Sequence, residues 1–148
     1  MPNRAAALVV DTSVLIKWFK DEDENLVDQA LALRDRVDRA GIAVYAPALL
    51  FYEIGNVLVR KTKLDHAGIT EVLAAIAGSR LVVAAPEPAL LRRAAQFARR
   101  YDLSLYDAAF VALADALGCR MITADLRLAE RTRECGFVRH LAGAGDMP

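Results

Sequence analysis

Short apolar runs alternate along the chain with stretches in which apolar residues recur every three or four positions. The runs Ala7–Val10, Ile42–Tyr45, Leu81–Ala85, Cys119–Thr123 and Phe137–Leu141 have the length and bounding residues of strands. Between them the helical spacing predicts a helix from Thr12, one near Asp23–Arg39, one from Pro47 to about Thr62, and others over Asp65–Gly78, Pro88–Arg100, Ser104–Leu117 and Leu126–Glu134. On the second helix Leu26, Ala30, Leu33 and Val37 form one stripe, while Asp28, Arg34, Asp35 and Arg36 cover the rest. Pro47 suits a first helical turn, and Gly118 and Gly136 suit helix ends. Strands separated by helices predict an α/β protein, a three-layer sandwich with a mostly parallel sheet between two helical layers. There are no repeats or Gly/Ser linkers, so residues 1–142 read as one domain, with a flexible tail at 143–148.

Four acidic residues break this pattern. Asp11 and Asp125 each stand where a buried strand (ALVV, CRMIT) gives way to a helix, the carboxyl edge at which open α/β sheets build their sites. Glu53 has Leu49, Leu50 and Val57 as its one-turn neighbours, which puts its carboxylate on a core-facing stripe. Asp107 has Leu103, Phe110 and Val111 at the same spacings. Each has an ordinary explanation. Asp11 and Asp125 could cap helices, although Thr12, Ser13 and Thr123 could do so instead; Ser104 and Asp107 match a capping box; Glu53 could pair with an arginine such as Arg60. One shared acidic site explains all four together.

Such a site needs a counter-charge. Two carboxylates ~4 Å apart repel by about 4 kcal/mol at an effective dielectric of ~20. Several such pairs would consume much of a domain's stability of roughly 5–15 kcal/mol, so protons or cations must enter. An all-oxygen set without Cys or His selects Mg²⁺ or Mn²⁺ over zinc. His66 and His140 lie far from these motifs in sequence and read as surface or strand-end residues.

Composition narrows the alternatives. Hydrophobic residues make up 55% of the 148 and charged residues 26%, enough for a full core and against disorder. The two cysteines, Cys119 and Cys135, have neither disulfide-framework nor metal-ligand spacing, which fits a reducing cytoplasm. No apolar run reaches the ~18 residues of a membrane span, and Asp11 interrupts the N-terminal stretch too early for a secretory signal. Net charge is zero, with 19 basic and 19 acidic groups. Four acids gathered round cations would leave a basic surface, so neutrality does not exclude a nucleic acid. Lys17, Lys20, Arg60, Lys61 and Arg127 are the candidate phosphate-backbone grips, each of which could instead be solvated helix surface. There is no Walker loop and no Ser/His/Asp or Cys/His set for covalent catalysis.

The segments VVDTSVLIKWF, YAPALLFYEIGNVLVR, LSLYDAAFVALA and CRMITAD, in that order, resemble the PIN-domain family, and in particular the small VapC-like ribonuclease toxins of toxin–antitoxin pairs. The resemblance implies a five-stranded parallel sheet, a homodimer, an antitoxin partner and cleavage of RNA with one or two Mg²⁺ or Mn²⁺ ions. It implies Asp11, Glu53, Asp107 and Asp125 as the catalytic, metal-holding quartet. Ser13 and Thr123 would support the metals, with Asn56 and Ser104 behind the acids. An antitoxin groove would lie near the helices of Ala48–Gly78. Some relatives carry a further acid after the position of Asp125, where this chain has Leu126, Arg127 and Leu128. Three rivals differ in testable ways. A phosphoacceptor receiver domain needs paired acids after its first strand. A ribonuclease-H-like nuclease, or a form acting on DNA, would run the same chemistry, the former on a mixed sheet. A protein-binding PIN-like module would be favoured by a broken quartet.

Overall fold

The computed structural model describes residues 6–19 and 25–146. In chain order the elements are β1 (Ala7–Val10), α1 (Thr12–Phe19), α2 (Val27–Ala40), β2 (Ala43–Pro47), α3 (Leu50–Lys61), α4 (His66–Ala77), β3 (Val82–Ala84), α5 (Pro88–Tyr101), α6 (Leu105–Leu117), β4 (Arg120–Thr123), α7 (Leu126–Arg131) and β5 (Val138–His140). The strands form one sheet in the order β3-β2-β1-β4-β5, and every neighbouring pair is parallel. A mixed sheet is thereby excluded.

Strand order decides where a site can form. From β1 the chain moves outward to β2 and β3, then crosses back to β4 on the other side of β1. Right-handed crossovers in the two directions put α1–α4 and α5–α6 on opposite faces. The carboxyl ends of β1 and β4 therefore flank a crevice that no connection covers, the switch point of an open parallel sheet. Val9 of β1 pairs with Met121 of β4, and Val10 with Ile122, so the residues that follow, Asp11 and Thr123–Asp125, emerge side by side.

Packing follows the apolar pattern. β1 is flanked on both sides and reads as a continuous apolar run, with Val9 and Val10 fully buried. α6 lies against β1, β2 and β4 and is itself covered by α5, so Ala108–Ala114 are all buried. α1 packs against α2, α3 and α4, and Trp18 Nε1 ties it to α2 by donating to the Ala30 carbonyl at 2.8 Å. Gly118, at φ +63°, ends α6 in the left-handed region that glycine occupies without strain.

Three expectations shift. Pro47 does not open a helix: it ends β2, paired with Ala84, and α3 begins at Leu50. Proline is tolerated there because the pairing of β2 with β1 has ended at Tyr45, while the next N–H, that of Ala48, makes the bond to β3 by donating to the Ala84 carbonyl at 2.9 Å. The helix expected over Leu126–Glu134 stops at Arg131 and is followed by a separate 3-10 turn, Arg133–Cys135. Of the residues placed in a flexible tail, those up to Asp146 belong to a 3-10 segment, Leu141–Asp146. There Ala144 is buried, and Arg36 donates to the carbonyls of Ala144 and Gly145.

Candidate active site

Asp11 follows β1 directly and is only 7% exposed. Its carboxylate is held from two elements. Ser13 Oγ, in the first turn of α1, donates to Oδ1 at 2.5 Å, and Thr123 Oγ1, at the end of β4, donates to Oδ2 at 2.5 Å. The Val14 N–H adds a longer contact to Oδ1 at 3.3 Å. Both hydroxyls also accept: Ser13 Oγ from the Ala124 N–H at 2.9 Å, Thr123 Oγ1 from the Asp125 N–H at 3.0 Å. The ends of β1 and β4 are thus joined through one buried carboxylate. Burial nevertheless raises the Asp11 pKa to about 6; the three donors pull it down and the nearby Asp125 charge adds slightly to the rise.

Asp125 caps α7, accepting from the Leu128 N–H at 3.1 Å. Asp107 sits in the first turn of α6, which Ser104 caps: Ser104 Oγ accepts from the Asp107 N–H at 3.0 Å and donates to Asp107 Oδ2 at 2.9 Å. Asp125 is therefore a helix cap in its own right, whereas the Asp107 carboxylate caps nothing and is held by the Ser104 hydroxyl.

Glu53 has no such role. It lies one turn into α3, half-buried, and its Oε1 is buried without a hydrogen-bond partner. Its pKa rises to about 7, first through burial, then through the negative charges of Asp107 and Asp11. Charge coupling thus links Glu53 to Asp107 and Asp11, and Asp11 to Asp125, so acids from four separate segments share one electrostatic neighbourhood. The hydroxyl of Thr12 lies near enough to Glu53 to offset part of its rise, yet Thr12 Oγ1 and Glu53 Oε1 remain without close partners.

Among the described residues no three His, Cys, Asp or Glu side chains stand together as a ready-made metal cage. The donor chemistry still suits a hard divalent cation: the acids offer only oxygen, and one buried oxygen, Glu53 Oε1, has no protein partner. A cavity of about 870 Å³ opens at the opposite, amino end of the strands among Leu8, Leu33, Val37, Ile42 and Tyr45, with no acid on its walls. Asp11 and Asp125 lie at the other edge, beyond the carboxyl ends of β1 and β4.

The remaining predicted residues divide. Ser13, Thr123 and Ser104 bond directly to acids, as above. Asn56 is exposed and lines a shallow surface hollow with Gly55, Val59 and Arg60. Arg60, Lys61 and Arg127 are exposed. Lys17 is 6% exposed, because α1 is enclosed by α2, α3 and α4, and so it offers little surface to a phosphate backbone. Lys20 lies outside the described residues. Sequence reasoning missed two neighbours. Thr12 was weighed only as a helix cap, and His140, distant in sequence, sets Nε2 3.2 Å from the Ala124 carbonyl beside the site. The only advance signal for His140 was its place at the end of the last strand.

Residues 8–134 match the PIN domain family. Ribonuclease VapC9 of Mycobacterium tuberculosis is 34% identical over 87 residues, which span 59% of this chain and 68% of that relative. Among solved structures, M. tuberculosis VapC20, a sarcin–ricin loop cleaving toxin, is similar with a TM-score of 0.65 and 19% identity, covering 88% of this chain and 96% of that one. A toxin–antitoxin complex from Klebsiella pneumoniae contains a chain similar with a TM-score of 0.62 and 18% identity, covering 90% of this chain and 97% of its own. At these identities the structural likeness speaks to the fold.

Proposed function

Because the chain belongs to the PIN-domain family, whose ribonucleases depend in general on divalent metal, we propose that it is a ribonuclease of the VapC type, the toxin of a toxin–antitoxin pair. The observation that carries the reading is the coupled acid set, above all Glu53, whose pKa is raised to about 7 by burial and by the charges of Asp107 and Asp11. A domain keeps such a cluster at a cost, and a cation-dependent reaction on a phosphodiester is the use that fits it.

Asp11, Glu53, Asp107 and Asp125 would hold Mg²⁺ or Mn²⁺, which when bound supplies positive charge against the phosphate and lowers the pKa of the attacking water. Ser13 and Thr123 fix both oxygens of Asp11 so that the carboxylate cannot rotate away. Ser104 holds one oxygen of Asp107, Oδ2. Without a cation the Glu53 carboxyl, its pKa raised to about 7, is partly protonated near neutrality, so a cation binding there would displace the proton. Arg60, Lys61 and Arg127 are exposed cations available to the RNA backbone. Asn56, one turn after Glu53, is an exposed polar side chain in a hollow shared with Arg60.

A partner antitoxin follows from the same reading, supported by the likeness to a chain of a toxin–antitoxin complex. A homodimer and a cytoplasmic location belong to it as well; no helix among the described residues is long and apolar enough to cross a membrane. An intact acid set disfavours a purely protein-binding role. The test is cleavage of labelled RNA and DNA by purified protein with Mg²⁺, Mn²⁺ or EDTA, beside Asp11→Asn and Asp107→Asn. RNA cleavage that needs metal and both acids is expected. Cleavage in EDTA, undiminished cleavage by the variants, or activity confined to DNA would overturn the reading.

A further inference from the structure

The turn from β4 into α7 carries Thr123, which holds Asp11, and Asp125, and its backbone is gripped from two other elements. From α1, Ser13 Oγ accepts from the Ala124 N–H at 2.9 Å. From β5, His140 sets Nε2 3.2 Å from the Ala124 carbonyl. His140 is the last residue of β5, and parallel pairing places it opposite Thr123. Its half-buried ring thus reaches one residue past the β4 ladder, to the turn itself.

The other ring nitrogen fixes the sense of this contact. The Ala142 N–H donates to His140 Nδ1 at 3.3 Å, so Nδ1 offers its lone pair and the neutral ring carries its proton on Nε2. Nε2 therefore donates to the Ala124 oxygen. The peptide plane joining Ala124 to Asp125 is then held at both of its polar atoms: its N–H donates to Thr123 Oγ1 at 3.0 Å, and its carbonyl accepts from His140. A plane held at both atoms cannot tilt without breaking a hydrogen bond. The tilt matters because the Asp125 Cα belongs to that plane and sets where its carboxylate starts; the α7 cap then fixes Oδ1 against the Leu128 N–H at 3.1 Å. Neither side-chain bond of His140 reaches an acid, so its influence on the site runs through the backbone.

We propose that His140 is a positioning residue, whose Nε2–H pins the Ala124 carbonyl and so fixes where the Asp125 carboxylate stands relative to Asp11. The inference deepens the ribonuclease reading and rests on the acid set which that reading uses to hold a divalent cation.

The two ring nitrogens can be tested separately. Glutamine places an amide donor near the position of Nε2, whereas asparagine places an amide oxygen near that of Nδ1. Calorimetric titration with Mn²⁺ and no RNA, well below the Tm of every variant, compares the wild type with His140→Phe, His140→Asn and His140→Gln. The first two should raise the Mn²⁺ Kd about tenfold, the scale expected when a group behind a metal ligand is lost, and His140→Gln should stay within about twofold. In EDTA His140→Asn should keep the wild-type Tm, since the Ala142 N–H keeps an acceptor, and His140→Phe should lower it. On RNA at a fixed, subsaturating Mg²⁺ concentration, kcat of the Phe and Asn variants should fall about tenfold while KM stays within about twofold. An unchanged Kd in both of these variants, or a loss in His140→Gln as large as in His140→Phe, would overturn the proposal. A Kd that rises only in His140→Phe, the variant whose Tm falls, would assign His140 to fold stability and overturn it equally. A wild type that binds no Mn²⁺ would overturn it together with the metal site. The expected order of Kd values in a protein that cuts no RNA would remove the ribonuclease reading and leave the positioning role standing.

Discussion

Without metal, the protein should lose stability as pH rises through the range in which most proteins are steady. Asp11 and Glu53 both have folded-state pKa values above their ordinary ones, from 3.8 to about 6 and from 4.5 to about 7. The folded state therefore binds more protons than the unfolded one, and stability present below the ordinary pKa is lost as pH climbs through the raised one. For Asp11, which is fully buried, the rise from 3.8 to about 6 corresponds to about 3 kcal/mol over the whole window, roughly half of it between pH 5 and 8. Glu53 is half-buried and acts in the same direction, its energy reduced by solvent screening. At about 2–4 °C per kcal/mol for a chain of this size, Asp11 alone should lower Tm by about 3–6 °C between pH 5 and 8 in EDTA. Calorimetry or a dye-based melt across that range is the assay. Asp11→Asn should flatten the slope, because the amide has no charge to desolvate. Mg²⁺ should raise Tm at pH 8 more than at pH 5, where protons compete for the same oxygens. A wild-type Tm in EDTA that is level or rises from pH 5 to 8, or a variant slope as steep as the wild type's, would refute the reasoning.

Other outcomes follow from the same contacts. Thr123→Val removes the donor to Asp11 Oδ2 and the acceptor of the Asp125 N–H; it should cost about 1–3 kcal/mol in a denaturant melt and lower kcat more than it raises KM. Ser104→Ala removes the α6 cap and should cost about 1 kcal/mol while loosening Asp107, so that cleavage falls at an unchanged oligomeric mass. Replacing Arg60 and Lys61 together with alanine should weaken RNA binding uniformly across sequences, and should flatten the dependence of log KM on log salt, read by titrating KCl.

Much of this architecture is visible in the chain because local signals and tertiary demands agree. The run Ala7–Val10 is apolar on both faces and lies in the middle of the sheet; Ser104 with Asp107, and Gly118, announce both ends of α6. Legibility fails where two local readings are both permissible. Pro47 can open a helix or close a strand, and its pairing with Ala84, far away in sequence, decides for the strand. Lys17 looks like a surface cation on an amphipathic helix, but α1 is short and is enclosed by α2, α3 and α4. The acids were legible as misfits in an apolar pattern. Their hydrogen-bonding state was not, since the Asp11 bonds to Ser13 and Thr123 depend on the parallel register of β1 and β4. Thr12 reads locally as no more than a helix cap, for the same reason: only the packing of α1 near α3 buries its hydroxyl near Glu53.

The unity of the acid set can be measured directly. Mn²⁺ added in small amounts to isotope-labelled protein broadens the NMR signals of nuclei near the bound ion. Simultaneous loss of the amide signals around Asp11, Glu53, Asp107 and Asp125, all absent in Asp11→Asn at the same Mn²⁺ concentration, is the predicted result. Broadening confined to one of these segments, or spread over unrelated surface acids such as Asp35 and Glu130, would contradict a single shared site.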